Sequence, residues 1–384
     1  MKIVSDTQSL KTVCESCTNH PFCTVDTEFL RETTFWPILC LVQIASPDDA
    51  WIIDVQADEI DLQPFFDLMA DTSVTKVFHA ARQDIEIIYH LAQIIPDPVF
   101  DTQVAAMVCG YGDSISYDQL VQKIVGIQID KSSRFTDWSK RPLSDKQLKY
   151  ALADVTHLRD VYLDLSENLE EQKRSEWVSE EMEVLKSPET YDMPPEDAWR
   201  RLKMRARKPR ELAILKKVAE WREIMARENN VPRGRIIRDD AIYDISSRPP
   251  ATIEKLAGLR SLSRGFDKNR YGKSLIKVVE EAKAIPDNEL PPLPRQKRMP
   301  EGSGAATEML KVLLKLTTER HGVAAKIIAT VDDLEKIAAD DHADVPALNG
   351  WRRKLFGNHA LALKDGRIAL GYEDKQVQII EFED

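Results

Sequence analysis

The sequence predicts a mixed α/β domain followed by two mainly α-helical ones, and three observations carry that reading. Short β-branched or aromatic runs alternate with helical periods up to about residue 167. Beyond that point the strand signal disappears. Proline clusters then divide the remainder into two helical stretches, the second closing on an alternating hairpin pattern. A length of 384 residues suits two or three domains, each able to bury a core.

In chain order, the spacing predicts strands at Phe22 to Phe29, Ile38 to Ser46, Ala50 to Val55, Thr75 to Ala80 and Val99 to Phe100. Helices are predicted at Thr7 to Cys17, Pro64 to Ala70, Gln83 to Ala92, Thr102 to Cys109, Tyr117 to Val125 and Asp145 to about Glu167. The last begins after Pro142 at a Ser144-x-x-Gln147 capping box. These elements make a first domain of residues 1–190. Leu185 to Glu196, with Pro188, Pro194 and Pro195, reads as a linker to a helical domain at 195–286. Pro286, Pro291, Pro292, Pro294 and Pro300 mark a second linker, and a third domain at 300–384 holds helices at Thr307 to Thr318 and Val331 to Ala339. Arg367 to Tyr372 and Gln376 to Phe382 alternate around a Glu373-Asp374-Lys375 turn, which predicts a closing hairpin. No short repeat is present, although the two helical stretches could be distant copies of one another.

Composition narrows the class. Hydrophobic residues at 43% and charged residues at 30% describe a soluble globular chain. There is no apolar run of eighteen residues, and Met1 to Asp6 turns polar too soon for a signal peptide, so a cytoplasmic protein without a membrane partner is expected. Five cysteines, an odd number, suggest reduced thiols. With 53 basic against 64 acidic residues, the net charge of −11 argues against coating nucleic acid through bulk charge. The charge is uneven, however. Between Arg200 and Arg238 fourteen basic residues face only Glu211, Glu220, Glu223 and Glu228, so a local basic surface is expected there.

Candidate chemistry lies in three places. Asp26 and Glu28 end a predicted strand two residues apart, so their carboxylates share a face. Such a pair on an apolar strand is costly without a cation or donors, whereas a solvated strand end is the simpler alternative. His79-Ala80-Ala81-Arg82-Gln83-Asp84 leaves a strand and enters a helix, where Asp84 suits the helix dipole and capping alone is a sufficient explanation. His79 by itself is as well explained as a structural histidine. Tyr150 and Asp154 stand i, i+4 on a helix, opposite an apolar face of Leu148, Ala151, Leu152, Val155, Leu158 and Tyr162. An exposed helix face would produce the same spacing. Cys14-x2-Cys17-x2-His20-x2-Cys23 has the look of a zinc motif, but Leu10, Val13, Cys14 and Cys17 follow the spacing of a buried helix face, which favours core thiols.

Together, Asp26-x-Glu28, Asp84 and Tyr150-x3-Asp154 resemble the motifs of the DEDD exonuclease superfamily in its tyrosine form. Val25-Asp26-Thr27-Glu28-Phe29, His79-Ala80, Asp101-Thr102-Gln103, Asp130-Lys131-Ser132, Thr136-Asp137-Trp138, Arg141-Pro142-Leu143 and Ala153-Asp154-Val155 narrow the resemblance to the ribonuclease D family. Residues from Trp199 to Ile285 resemble the helicase and ribonuclease D C-terminal (HRDC) domain, and Gly350-Trp351-Arg352 marks a degenerate second copy. The resemblance implies a ribonuclease H-like α/β exonuclease domain followed by two HRDC-like modules.

It also implies metal-dependent 3′ to 5′ removal of nucleotides from RNA, including tRNA 3′ ends, with release of nucleoside 5′-monophosphates. Asp26, Glu28, Asp84 and Asp154 would hold two divalent cations, with Asp26 bridging. Hard oxygen donors suit Mg²⁺ or Mn²⁺. No small organic cofactor is called for. Tyr150 would position the attacking water, since a phenol of pKa about 10 is a poor base at neutral pH. Thr27, Phe29, His79, Lys131 and Arg134 are candidate substrate contacts, while Trp138 is expected to pack its loop. The basic stretch favours RNA contact. A DNA-directed exonuclease and a silent RNA-binding protein remain as alternatives.

Overall fold

The computed structural model describes residues 2–203, 206–293 and 300–382; Arg205 and Pro294, counted above in the basic stretch and second linker, lie outside the described residues. A six-stranded sheet is built from β1 (Ile3–Val4), β2 (Phe22–Leu30), β3 (Ile38–Ala45), β4 (Ala50–Ile53), β5 (Thr75–Phe78) and β6 (Val99–Asp101). Its order is β1-β4-β3-β2-β5-β6, with β2, β3 and β4 antiparallel and β1, β5 and β6 joining in parallel. The mixed sheet therefore places β2 at its centre. A register shift between Glu28 and Phe29 interrupts the β2–β3 ladder, a bulge of the kind that re-aims side chains beside functional sites.

The surrounding helices are α1 (Thr7–Thr18), α2 (Gln63–Ala70), α3 (Arg82–Ala92), α4 (Thr102–Val108), α5 (Tyr117–Ile124), α6 (Asp145–Glu171) and α7 (Ser175–Lys186). Asp6 caps α1 by accepting the Ser9 N–H at 2.8 Å, and the predicted Ser144–Gln147 box caps α6. From there α6 crosses β2, β3 and β4, one full turn longer at its far end than the spacing predicts. Two elements escape the sequence reading, β1 and α7. The strand predicted to reach Ala80 stops at Phe78, because the Asp101 carboxylate takes the N–H groups of Ala80 and Ala81 at 2.9 Å and bends the chain, with Ala80 at φ +60°.

The segment expected as a linker is partly structured. Leu185 and Lys186 complete α7, Tyr191 is buried, and tight turns at Pro188–Thr190 and Pro195–Arg201 lead onward. A first helical module follows with α8 (Pro209–Glu228), α9 (Arg233–Ile236), α10 (Asp239–Ser247), α11 (Ile253–Ala257) and α12 (Arg270–Ala284). The second contains α13 (Ser303–His321), α14 (Ala325–Ile328), α15 (Val331–Ala339), α16 (Gly350–Arg352), a π-turn at Arg353–Gly357 and α17 (Asn358–Lys364). It ends in the hairpin of β7 (Ile368–Glu373) and β8 (Gln376–Glu381), whose two turn residues Asp374 and Lys375 both have positive φ. The apolar core of the sheet continues into this second module, whereas the first module packs around its own core and takes in only Phe35 from the sheet domain as a buried member. No described helix is long and apolar enough to cross a membrane.

Candidate active site

The alternation of β2 turns Thr24, Asp26 and Glu28 toward α6, where Thr24 donates to the Val155 carbonyl at 2.8 Å and fixes the helix against the strand. Asp154, about one turn along α6 from Tyr150, thereby comes over the strand end. Carboxylate oxygens of Asp26, Glu28 and Asp154 lie within 4.8 Å of one another. Among the described residues this is the group able to hold a cation. Asp84 enters from the start of α3, buried, and its carboxylate accepts the Thr27 hydroxyl at 2.5 Å from the other side of the strand. It stands next to the three-carboxylate group rather than within it.

Burial, followed by mutual repulsion, sets the electrostatics. Desolvation and then the Asp154 charge push Asp26 well above the carboxylate range. Desolvation and then Asp26 push Glu28 up to about 10. Asp154 rises to about 8, chiefly by burial, against a lowering hydrogen bond from Tyr150. Burial and then Asp26 likewise raise Asp84. Arg134 is the cation whose charge opposes these shifts at Glu28 and Asp154, and one guanidinium does not balance four carboxylates. An all-oxygen donor set with unbalanced negative charge fits hard divalent ions. Tyr150, raised by burial and the neighbouring Asp154, keeps its phenolic proton at neutral pH.

A cavity of about 310 Å³ opens onto Asp26, Tyr150 and Asp154. His79, Lys131 and Arg134, three of the predicted substrate contacts, line it; Thr27 and Phe29 do not. The Thr27 side chain is committed to Asp84, which makes it a positioning group, and Phe29 continues the β2–β3 ladder beyond the bulge. Lys131 is paired with Asp118 at 2.5 Å, while Arg134 faces the carboxylates and lies over the ring of Phe135, itself 90% exposed. His79 holds Thr102 through Nδ1 at 3.0 Å and leans on Tyr117; burial keeps its pKa below the usual histidine value. Trp138, as expected, is buried in its own loop against Cys40, Leu41, Ile52 and Leu148.

The motif words acquire structural meanings. Asp101 accepts from Ala80, Ala81 and Gln103, so Asp101-Thr102-Gln103 holds the turn that launches α3 and Asp84. Arg141 binds Asp54 and the carbonyls of Trp138, Lys140 and Cys40, anchoring the loop before α6. Sequence reasoning missed Tyr117, whose hydroxyl donates to the Ala153 carbonyl at 2.8 Å while its ring walls the cavity. Only its place one residue after the helix cap hinted at it. The thiols of Cys14, Cys17 and Cys23 are buried in the core, and His20 turns instead to Asp48 at 3.6 Å.

Much of the basic stretch is neutralised internally. Arg222 pairs with Asp239, Arg210 with Asp287, Arg227 with Asp192, and Arg233 with Glu223. These acids mostly lie outside or across the counted window.

Residues 1–170 match the 3′–5′ exonuclease family and residues 211–279 match the HRDC domain. With a mixed sheet and convergent carboxylates, they define an exonuclease of the acidic, metal-site class. The chain is 57% identical to ribonuclease D of Nitrobacter hamburgensis across 99% of this chain and 100% of that one, and 53% identical to ribonuclease D of Bartonella henselae across 96% and 91%. The crystal structure of Escherichia coli RNase D superposes with a TM-score of 0.83 at 27% identity, covering 95% of this chain and 98% of that one. The chain belongs to the ribonuclease D family.

Proposed function

We propose that the protein is a 3′–5′ exoribonuclease that trims RNA 3′ ends, tRNA precursors included, and releases nucleoside 5′-monophosphates. The convergence of Asp26, Glu28 and Asp154 beside Asp84 carries this reading. These four would hold two divalent cations, Mg²⁺ or Mn²⁺. When bound, such ions stabilise the attacking and departing oxygens and acidify the attacking water. The remaining work falls to the chain. Tyr150, protonated and one turn from Asp154, orients the water through its hydroxyl. Thr27 steadies Asp84 from behind the strand. Arg134 and Lys131 at the cavity mouth meet the incoming phosphate, and Phe135 offers an exposed ring to a terminal base.

The test uses a 5′-labelled RNA with a 3′ tail, a matched DNA strand and each metal in turn. Stepwise shortening of the RNA from its 3′ end is expected, abolished by chelation. Asp26→Asn should lower kcat by about 10⁴-fold, and Tyr150→Phe by about 10²-fold with metal affinity nearly retained. Without metal, Asp26→Asn should melt at a higher temperature than the wild type, because it removes a half-buried carboxyl group whose ionisation desolvation and the Asp154 charge disfavour. Wild-type turnover in Asp26→Asn would overturn the metal assignment, and preferential shortening of DNA would overturn the substrate.

A further inference from the structure

A second cavity, about 390 Å³, lies where α3 and the β2–β3 loop meet the first helical module. Arg31, Arg82, Arg201, Arg227 and Arg233 wall it. Three carboxylates answer them. Glu86 takes a two-point bond from Arg31, with both contacts at 2.7 Å, and Glu223 and Asp192 are bound to Arg233 and Arg227. Five guanidinium groups against three acids leave two positive charges over.

The surplus can be located. Arg82 and Arg201 are solvent-exposed and form no salt bridge among the described residues; Arg82 makes a single long bond, 3.3 Å, to the Thr190 carbonyl. Partial desolvation of its inner side against the cleft, and then the charge of Arg233, pull the Arg201 pKa below the usual arginine value. Arg201 thus faces the like charges of Arg233 and Arg227, partly offset by the Glu223 and Glu86 carboxylates. The paired arginines are also constrained, since the rings of Phe35 and Trp36 lie beneath Arg227 and that of Phe35 beneath Arg233. An oxyanion entering the cleft would find guanidinium donors already oriented, the geometry that favours two-point phosphate binding.

We propose that this cleft is a phosphate-binding site and that its ligand is a backbone phosphate of the RNA chain, outside the catalytic cavity. This rests on the exoribonuclease reading above. The cleft adjoins the active-site elements, because Arg82 lies two residues before Asp84 on α3 and Arg31 follows Glu28 by three, about 10 Å at the rise of a strand. An RNA whose 3′ end reaches Asp26 can therefore lay an upstream phosphate between the nuclease domain and the helical module. Held at both ends of this span, a chain of several nucleotides would bind more tightly than a very short one.

The experiment measures equilibrium binding in chelator, so that no turnover is required, with a single-stranded 12-nucleotide RNA, a dinucleotide lacking a 5′ phosphate and inorganic phosphate. Full-length protein is compared with the double variant Arg82→Gln, Arg201→Gln, its folding checked by circular dichroism. The 12-mer should bind about tenfold more weakly to the variant, with its salt slope reduced by about one to two, and the dinucleotide by less than twofold. Unchanged 12-mer affinity and slope would overturn the proposal. Loss of inorganic phosphate binding with unchanged 12-mer affinity would make the cleft a free-anion site and overturn the RNA assignment. An equal loss for 12-mer and dinucleotide would place these arginines in the catalytic cavity and overturn a separate site. Absence of metal-dependent shortening by the wild type would instead count against the exoribonuclease reading, a result independent of these affinities.

Discussion

The two helical modules resemble each other in sequence role, yet they are joined to the nuclease domain by different physics. The second is fused through apolar surface. Trp351 stacks on Trp177 of α7 with centroids 4.3 Å apart and planes 6° from parallel, and Arg352 beside it binds Glu180 and Glu181. Backbone comes so close at Gly110 that an added Cβ would sit 2.5 Å from the Gly322 carbonyl oxygen. The first module is plugged in instead. The loop carrying Phe35 and Trp36 enters it, Asn230 accepts both of their backbone N–H groups at 3.1 and 3.0 Å, and arginine–carboxylate pairs surround the contact. A shared apolar core couples stabilities, whereas a polar plug permits one part to loosen while the other holds.

The largest expected effect tests the fused seam. Trp351→Ala should cost about 3–5 kcal/mol and lower the melting midpoint of the nuclease domain together with that of the second module. Calorimetry combined with loss of nuclease activity on heating reads both. A nuclease midpoint that stays in place would mean that the two cores are energetically separate. Asn230→Gly sharpens the other side of the comparison, since glycine tolerates the φ of +46° while leaving the Phe35 and Trp36 amides without their acceptor. A cost of about 1–3 kcal/mol to docking is expected, seen as faster proteolysis between residues 187 and 208 with the nuclease midpoint unmoved. An equal fall in nuclease stability would erase the distinction.

How far these differences could be read from sequence follows from their range. The Asp26 and Glu28 alternation and the Tyr150–Asp154 spacing are local periods, so the carboxylates of the candidate site were legible before any fold. The bond from Thr27 to Asp84 joins residues 57 apart and Tyr117 reaches Ala153 across 36, distances that periodicity does not encode. β1 pairs through only Ile3 and Val4, too short a run to alternate. α7 does carry apolar residues at Val178, Met182 and Leu185, but its start lacks a side-chain cap and prolines follow it closely. The basic stretch was legible only in part. Its charge is visible in sequence, whereas the partners Asp192, Asp239 and Asp287 that neutralise it come from other elements.

Acid offers the mildest test of the plugged module, through Glu223. This carboxylate is 2% exposed and bound by Arg233 at 2.5 and 2.7 Å and by Arg227 at 3.3 Å. Burial alone would raise its pKa, but the Arg233 bond and the charges of Arg233, Arg227 and Arg201 together take it below the usual glutamate value. A depressed folded pKa means that protons bind the unfolded chain more readily. The stabilisation is therefore complete above the unfolded value of about 4.3 and is lost as pH falls through the lower folded value. Proteolysis of the 187–208 segment at constant ionic strength should thus accelerate below about pH 4, and Glu223→Gln should flatten that dependence because the substituted amide does not titrate there. If Glu223→Gln kept the wild-type slope, the arginine cluster would not be what fastens this module, and the Phe35–Trp36 insertion with its Asn230 acceptor would have to hold it alone.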